Sequence, residues 1–412
     1  MMKRIFSALL ALLLVFVMPL GLFSCTSEKS GGNVLYVYNW GEYISDGSED
    51  SYDTNAEFEK WYYEQTGKKI TVVYSTYSSN EDMYAKLTAG AVSYDVIIPS
   101  DYMIERLINE KWLLPLNYDN IPDAANVDPN FMGKDAEYDY YDEGSVYSVP
   151  YFYGMVGIIY NTTMVDEEDV GSWELMWNEK YKGNILQFNN SRDAFGTAQY
   201  KLGIDVNTTD EAEWRRALDE LKKQKGIVQG YVMDEIFNKM EGGSAAISAY
   251  YAGDFMSMYE NNPDLDFFYP SEGTNLYVDA MCIPKCTQNK SAAEMYINFM
   301  CMKEAAVANA EYTYYASPNS AVKNDAEYID YMNSIKDNGY ETMYGTENVK
   351  ATPYRNMTGE DLARINNLWE ELKSDISVSP VIITLCVVIV VLIATLVTVS
   401  VVRKRMRRRF YA

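Results

Sequence analysis

The 412-residue chain contains no histidine. That absence removes a Ser-His-Asp or Cys-His nucleophilic engine and most zinc sites, because both rely on imidazole to carry a proton or a metal. Cysteine is scarce too, with five in the chain. Cys25 and Cys386 fall in apolar end segments; the other three, Cys282, Cys286 and Cys301, are odd in number and define no disulfide framework. Cys282 and Cys286 have a metal-like spacing, yet with no second pair they read as buried or unpaired thiols. There is no G-x-x-x-x-G-K-[ST] loop to hold a nucleotide, no internal repeat, and no low-complexity linker beyond a tether near Ser27 to Gly32. With no paired acid–base motif either, the chain reads as a non-enzyme that needs neither metal nor cofactor.

Positive charge is the next shortage. Of the 35 Lys and Arg, 27 lie between the two apolar ends, against all 59 Asp and Glu, a net charge of −32 for that part. This sign argues against nucleic acid as a partner and mildly favours cationic solutes. What is abundant is tyrosine, at 37 residues, which suits a protein that walls a ligand with rings.

The ends address the chain. Lys3 and Arg4, an apolar core from Leu9 to Leu20, and Leu22-Phe23-Ser24-Cys25 read as an export signal. Its last four residues resemble the lipobox of bacterial lipoproteins, in which Cys25 becomes the lipid-modified first residue. At the other end, Val381 to Val402 is uncharged and long enough to cross a ~30 Å hydrocarbon core as a helix. Pro380 punctuates its start, and six Lys and Arg between Arg403 and Arg409 put the tail in the cytoplasm. The expected location is the extracytoplasmic face of a bacterial cell membrane.

Between these ends, strand and helix alternate. Strands are expected near Val34 to Asn39, Ile70 to Ser75 and Asp95 to Ile98, and helices near Asn55 to Gln65, from a cap at Asn80 to Leu87, and from Tyr102. A second set has a strand at Asn184 to Phe188, helices at Arg192 to Lys201 and Thr209 to Lys225, and a strand at Ala245 to Ala249. A helical period returns from Ala292 to Ala310. Alternation of this kind predicts parallel sheet with right-handed crossovers, and some 350 residues suit two cores better than one. Pro and Gly around positions 150 and 270 mark crossings between lobes. The expected division is 1–25 signal, 26–32 tether, 33–149 with 271–376 first lobe, 150–270 second lobe, 380–402 transmembrane helix and 403–412 basic tail. Asp46, Ser48, Asp50 and Glu57 have calcium-loop spacing, but Ser51 sits where the turn needs Gly, so they read as a solvated acidic insertion.

Several runs carry a specific resemblance. Tyr38-Asn39-Trp40 with Glu42-Tyr43, Tyr74-Ser75-Thr76-Tyr77 with Ser79-Asn80-Glu81, Met83 to Leu87, Tyr94-Asp95 with Pro99-Ser100, Trp173 to Trp177, Tyr181-Lys182-Gly183, Asn207 to Asp210 and Ser317-Pro318-Asn319 are similar to the spermidine/putrescine-binding proteins of bacterial ABC importers. The resemblance runs from Val34 to Lys373. It implies a two-lobe periplasmic-binding-protein-like α/β fold of type II, with a polyamine in the cleft between lobes. By position, Trp40 and Tyr43 would stack on the methylenes, Glu42 would offer charge, and Ser100 and Tyr102 would give hydroxyl contacts. In the second lobe Asp193 keeps one of the family's two acids and Asn190 replaces the other. Tyr250 and Tyr277 stand where the family has tryptophans, Asp279 matches its main ammonium-binding carboxylate, Tyr315 matches a cleft tyrosine, and Arg355 falls about where a cleft glutamine is expected.

An ammonium group gains ~0.5 to 2 kcal/mol from each ring face and more from each carboxylate, so a few contacts reach the ~8 kcal/mol of micromolar binding. Losing an acid at Asn190 and gaining Arg355 would make the cleft less negative and favour a dication such as putrescine over longer polyamines. The implied partners are a polyamine, an ABC permease and its ATPase, and the membrane. Two other functions fit the same residues: capture of another small cation on the same fold, or a tethered sensor reporting closure to a membrane partner.

Overall fold

The computed structural model describes residues 33–134, 136–374 and 395. The expected signal, Cys25 and the tether lie outside the described residues, as do the 380–402 segment, Thr395 apart, and the basic tail.

The first part of the chain builds strands β1 (Val34–Trp40), β2 (Thr71–Tyr77) and β3 (Val96–Ile97), with helices Thr54–Thr66, Asn80–Ala89 and Asp101–Asn109 between and after them. β1 pairs in parallel with β2 on one side and β3 on the other. The order β2-β1-β3 reverses direction at β1, and in open α/β sheets ligands lie at such a switch point, beyond the carboxyl ends of the strands. The helices start where the sequence supplies caps. Asp53 accepts from Ala56 N at 2.9 Å and Ser79 from Asp82 N at 3.1 Å. The cap of the second helix is therefore Ser79 rather than Asn80, whose side chain turns away to Ser100 and Tyr102.

Antiparallel strands interrupt the expected all-parallel order. β4 (Ser148–Asn161) and β9 (Thr274–Cys282) pair with each other, and the full order is β2-β1-β3-β9-β4-β7-β5-β6, with β5 (Ile185–Phe188), β6 (Val228–Val232) and β7 (Ile247–Tyr251) on the far side. β8 (Leu265–Phe268) adds to β4, and β10 (Ala351–Pro353) to β9. β5 is parallel to both β6 and β7. β4 is the element that spans the molecule. Its first half pairs with β9 and its second half with β7 and β8, and all but Tyr160 of its fourteen residues are buried. Pro150 is tolerated inside it because the register shifts between Pro150 and Phe152, at the bulge that a missing N–H requires. Two lobes are thus joined through long paired strands, an arrangement that short Pro and Gly punctuation does not reveal.

The helical period from Ala292 to Ala310 resolves into two helices, Lys290–Cys301 and Lys303–Thr313, broken at the extended Met302. The last described helix, Gly359–Ser374, returns to the β5–β7 side. There Ile365, Leu368 and Leu372 join Phe195, Trp214, Leu218 and Leu221 in a second hydrophobic cluster.

The expectation of a fold that includes a carboxyl-terminal transmembrane helix is corrected. Among the described residues no helix is long and apolar enough to cross a membrane. Gly359–Ser374 has sixteen residues against the ~20 apolar residues needed, and six of its side chains are charged. The described fold is the two-lobe α/β module.

Trp214 is fully buried in the second cluster, edge-on to Phe195 at 5.2 Å between centroids, and its Nε1 donates to the Thr208 carbonyl at 2.8 Å. Trp214→Ala is expected to lower unfolding stability by about 3–5 kcal/mol, the usual result of a large cavity plus an orphaned carbonyl. Urea unfolding followed by circular dichroism measures it.

Candidate functional site

The ends of β1 and β3, the helix starts after β2 and β5, the end of β7 and the alternate residues Asn275, Tyr277 and Asp279 within β9 converge on one cleft with a cavity of about 70 Å³, room for several water molecules. Trp40 is fixed by donation from its Nε1 to the Ile98 carbonyl at 2.9 Å, and the Tyr77 hydroxyl donates to the same oxygen at 2.6 Å. After Trp40 the chain turns through Gly41 and Glu42, the latter in left-handed backbone at φ 48°, which sets the carboxylate at the cleft edge. A Cβ on Gly41 would lie 3.0 Å from Asp234 Oδ2. The two lobes approach each other closely here, and a side chain at this position would push the Asp234 carboxylate aside.

Tyr43 donates to Asp279 Oδ2 at 2.7 Å, while Asp279 Oδ1 is buried without a hydrogen-bond partner, as is the Tyr277 hydroxyl. Asn80 bridges Ser100 Oγ and the Tyr102 hydroxyl, each at 3.1 Å, and Tyr102 donates onward to Glu81 at 3.0 Å. Across the cleft, Asp193 Oδ2 accepts from Tyr251 at 2.6 Å and from Asn190 Nδ2 at 2.8 Å. Asp101 takes the Tyr140 hydroxyl and the Val278 N–H.

Eleven of the twelve residues expected from the sequence line this cleft. Trp40, Glu42, Tyr43, Ser100 and Tyr102 do so from the first lobe's elements, Asn190, Asp193 and Tyr250 from the second's, and Tyr277, Asp279 and Tyr315 from the strand and loop between. Arg355 does not. Its guanidinium turns away to Glu105, at 2.8 and 3.1 Å, and to the Tyr140 carbonyl at 3.1 Å. The Glu105 carboxylate, in the helix Asp101–Asn109, satisfies its fork. The expected positive charge in the cleft is therefore absent.

Sequence reasoning missed Tyr251, Asp234, Asp254 and Tyr354, which also line it. Asp254 sits in the first turn of the helix that follows β7, four residues beyond Tyr250, which the resemblance implies for the cleft. Asp234 follows the end of β6, a strand without the strongly apolar run that would have marked it.

Seven carboxylates, Glu42, Glu81, Asp101, Asp193, Asp234, Asp254 and Asp279, line the cleft with no Lys or Arg among the described residues of its wall. Burial pushes their protons on. Asp254 is raised to about 8, with Asp234 and Glu42 adding repulsion. Asp101 is raised to about 7 and Asp279 to about 6 by the same loss of water, the latter despite facing the Ser100 and Tyr43 hydroxyls. Glu42, Glu81, Asp193 and Asp234 move upward as well, again chiefly by burial. Mutual repulsion sorts these acids into two groups, Glu42–Asp234–Asp254 and Glu81–Asp193–Asp279–Asp101, with the Tyr277 ring feeling both. Rings fill the space between: Tyr43 meets Tyr315 edge-on at 4.7 Å and Tyr251 meets Tyr277 at 5.4 Å.

A two-lobe α/β receptor with an acidic, aromatic cleft is the class of protein that this fold and site define. The family profile described as bacterial extracellular solute-binding protein matches residues 56–336, and the chain belongs to that family. It is 32% identical over 298 residues to the spermidine/putrescine-binding periplasmic protein of Escherichia coli, covering 72% of this chain and 81% of that one. It is 28% identical over 378 residues to a putrescine/cadaverine-binding protein of Pseudomonas aeruginosa, covering 88% and 98%. Among solved structures, a putative spermidine/putrescine ABC transporter protein from Listeria monocytogenes superposes with a TM-score of 0.71 at 32% identity, over 83% of this chain and 99% of the other.

Because Asp254, Asp101 and Asp279 hold protons in the folded state that an unfolded carboxyl releases near pH ~4, the empty protein loses stability as pH rises from ~4 toward 8. The slope is up to about 1.4 kcal/mol per pH unit for each group titrating in the window. Asp254→Asn removes the group that titrates last and is expected to flatten the profile between pH 6 and 8. Urea midpoints at pH 5, 6, 7 and 8 test this, and a flat wild-type profile would refute it.

Proposed function

We propose that this chain captures a protonated polyamine, by preference a diamine such as putrescine, outside the cytoplasm and delivers it to the permease of an ABC importer. The observation that carries the reading is the cleft wall of seven carboxylates and no Lys or Arg among the described residues. An uncompensated set of buried acids stays protonated or stays costly until a cation enters. A diamine supplies two such charges on an apolar spacer. The two groups of carboxylates suit its ends, and the Tyr43, Tyr277 and Tyr315 rings suit its methylenes. The relatives named for spermidine, putrescine and cadaverine support the same class of ligand.

The preference for a dication survives the loss of Arg355 from the cleft, for a different reason. Asp193 Oδ2 is already engaged by both Tyr251 and Asn190, so the end of the cleft where Asn190 replaces an acid has less free acceptor capacity for a third ammonium group. The finer expectation of a lipid anchor belongs to the same proposal and rests on Leu22-Phe23-Ser24-Cys25 alone.

Calorimetric titration of residues 26–374 with putrescine, cadaverine, spermidine and an amino-acid control is expected to give micromolar or tighter binding of a diamine. A large spermidine preference would defeat the diamine reading, and silence from every amine would defeat the whole. Asp279→Asn, which removes a charge-assisted acceptor of ~1.5–3 kcal/mol, should weaken the bound amine roughly 10- to 100-fold. In cells fed a labelled fatty acid, label should enter the full chain and be lost in Cys25→Ser; equal labelling of both would end the anchor reading.

A further inference from the structure

Besides β4 and β9, the chain crosses between the lobes a third time, in the segment Pro353 to Met357 that links β10 to the last helix. This crossing is fastened by side chains on both sides. Toward the second lobe, the Arg355 N–H donates to Asn207 Oδ1 at 2.8 Å and Asn207 Nδ2 donates to the Pro353 carbonyl at 2.9 Å. Arg192, on the helix after β5, is 5% exposed and lies over the Tyr354 ring at 4.4 Å from its centroid. Toward the first lobe, Arg355 forks onto Glu105 with Nε at 3.1 Å and Nη2 at 2.8 Å, and the Asn356 N–H donates to the same carboxylate at 2.8 Å. Glu105 belongs to the helix Asp101–Asn109, whose first residue lines the cleft.

From this geometry we infer that the Arg355–Glu105 pair is a clasp that sets how readily the lobes separate, and so tunes affinity without touching the ligand. The crossings through β4 and β9 are covalently continuous, densely hydrogen-bonded strands that bend but do not let go. The third crossing holds the first-lobe helix by hydrogen bonds at one carboxylate, which receives three N–H bonds, and otherwise by the edge-on contact of Tyr354 with Tyr102 at 6.1 Å. A bidentate guanidinium fixes direction as well as distance, so breaking it leaves the helix held to this crossing by the non-directional contacts of Tyr102 with Tyr354 and Arg192, which let it swing. The clasp also reaches the cleft from behind. Arg355 Nη2 donates to the Tyr140 carbonyl, the Tyr140 hydroxyl donates to Asp101, and Asp101 accepts the Val278 N–H next to Asp279. Arg355 is in this role a positioning residue, and Glu105 its partner.

This inference deepens the binding role proposed above but has a readout independent of it. Small-angle scattering on the empty protein compares wild type with Arg355→Met, Glu105→Met and the double variant, with Arg355→Lys as a charge-retaining control. The single Met variants are expected to scatter as more open than wild type and to bind putrescine about fivefold more weakly, with faster dissociation. The double variant should be no weaker than either single, since both remove one interaction, and Arg355→Lys should fall between. Scattering of the single variants that superimposes on wild type would overturn the clasp, as would additive losses of affinity in the double variant. Should wild type bind no putrescine, the scattering arm still decides the clasp, and the failed titration counts against the ligand reading alone. Far-ultraviolet circular dichroism confirms folding of each variant, with Arg355→Lys carrying the test if a Met variant does not fold.

Discussion

Seven carboxylates are held out of water in the cleft with no Lys or Arg in its described wall, and most of the cleft's construction follows from that constraint. A buried carboxylate loses hydration worth several kcal/mol, and it can respond in two ways: take up a proton or gather hydroxyl donors. The cleft does both. Asp254, Asp101 and Asp279 have their protons pushed on by burial, and tyrosine hydroxyls converge on four of the seven acids, with Tyr43 on Asp279, Tyr251 on Asp193, Tyr102 on Glu81 and Tyr140 on Asp101. The abundance of tyrosine then has a mechanical meaning. Each ring supplies an apolar wall and a polar tip, so one residue type lines the cleft and steadies its charges.

The scaffold keeps cations out of the described cleft wall, although Arg192 behind it still eases the charge on Glu81 and Asp193. Arg192 neighbours Asp193 in sequence, yet its guanidinium lies over Tyr354 and bonds toward Asn207 and Met357. Arg355 is drawn onto Glu105. Both face the back of the cleft, and a wall left acidic on one side is what gives a cationic solute something to neutralise. Small residues make the close approaches possible. A Cβ on Gly253 would sit 2.5 Å from the Tyr315 ring, and one on Gly196 would sit 2.1 Å from the Tyr354 hydroxyl, so these helices come as near to the cleft rings as backbone allows.

Much of this was legible in the chain before any tertiary contact was known. Trp40, Glu42, Ser100, Tyr102, Tyr250 and Asp279 were implied by the family resemblance; the first five come together because strand ends of one sheet face one edge, whereas Asp279 reaches the cleft from within β9. The α/β class followed from alternation of strand and helix, and the two lobes from the length of the domain and the family resemblance. The antiparallel β4 was hidden, because its near-uniform apolarity over fourteen residues carries no period and its proline reads as punctuation.

By itself the sequence determined the chemistry available: no imidazole, an excess of acid, rings in quantity, and strand ends rich in both. Those are properties of composition and local pattern, and no fold can add a histidine or remove a carboxylate. Only the tertiary structure decided which charges meet. Whether Arg355 would neutralise the cleft or leave it depended on a carboxylate 250 residues away. Asp234 and Asp254 joined the wall because β6 and β7 deliver their following turns to the same edge. Electrostatic energy depends on distance and on exclusion of water, and neither quantity exists until the chain has closed on itself.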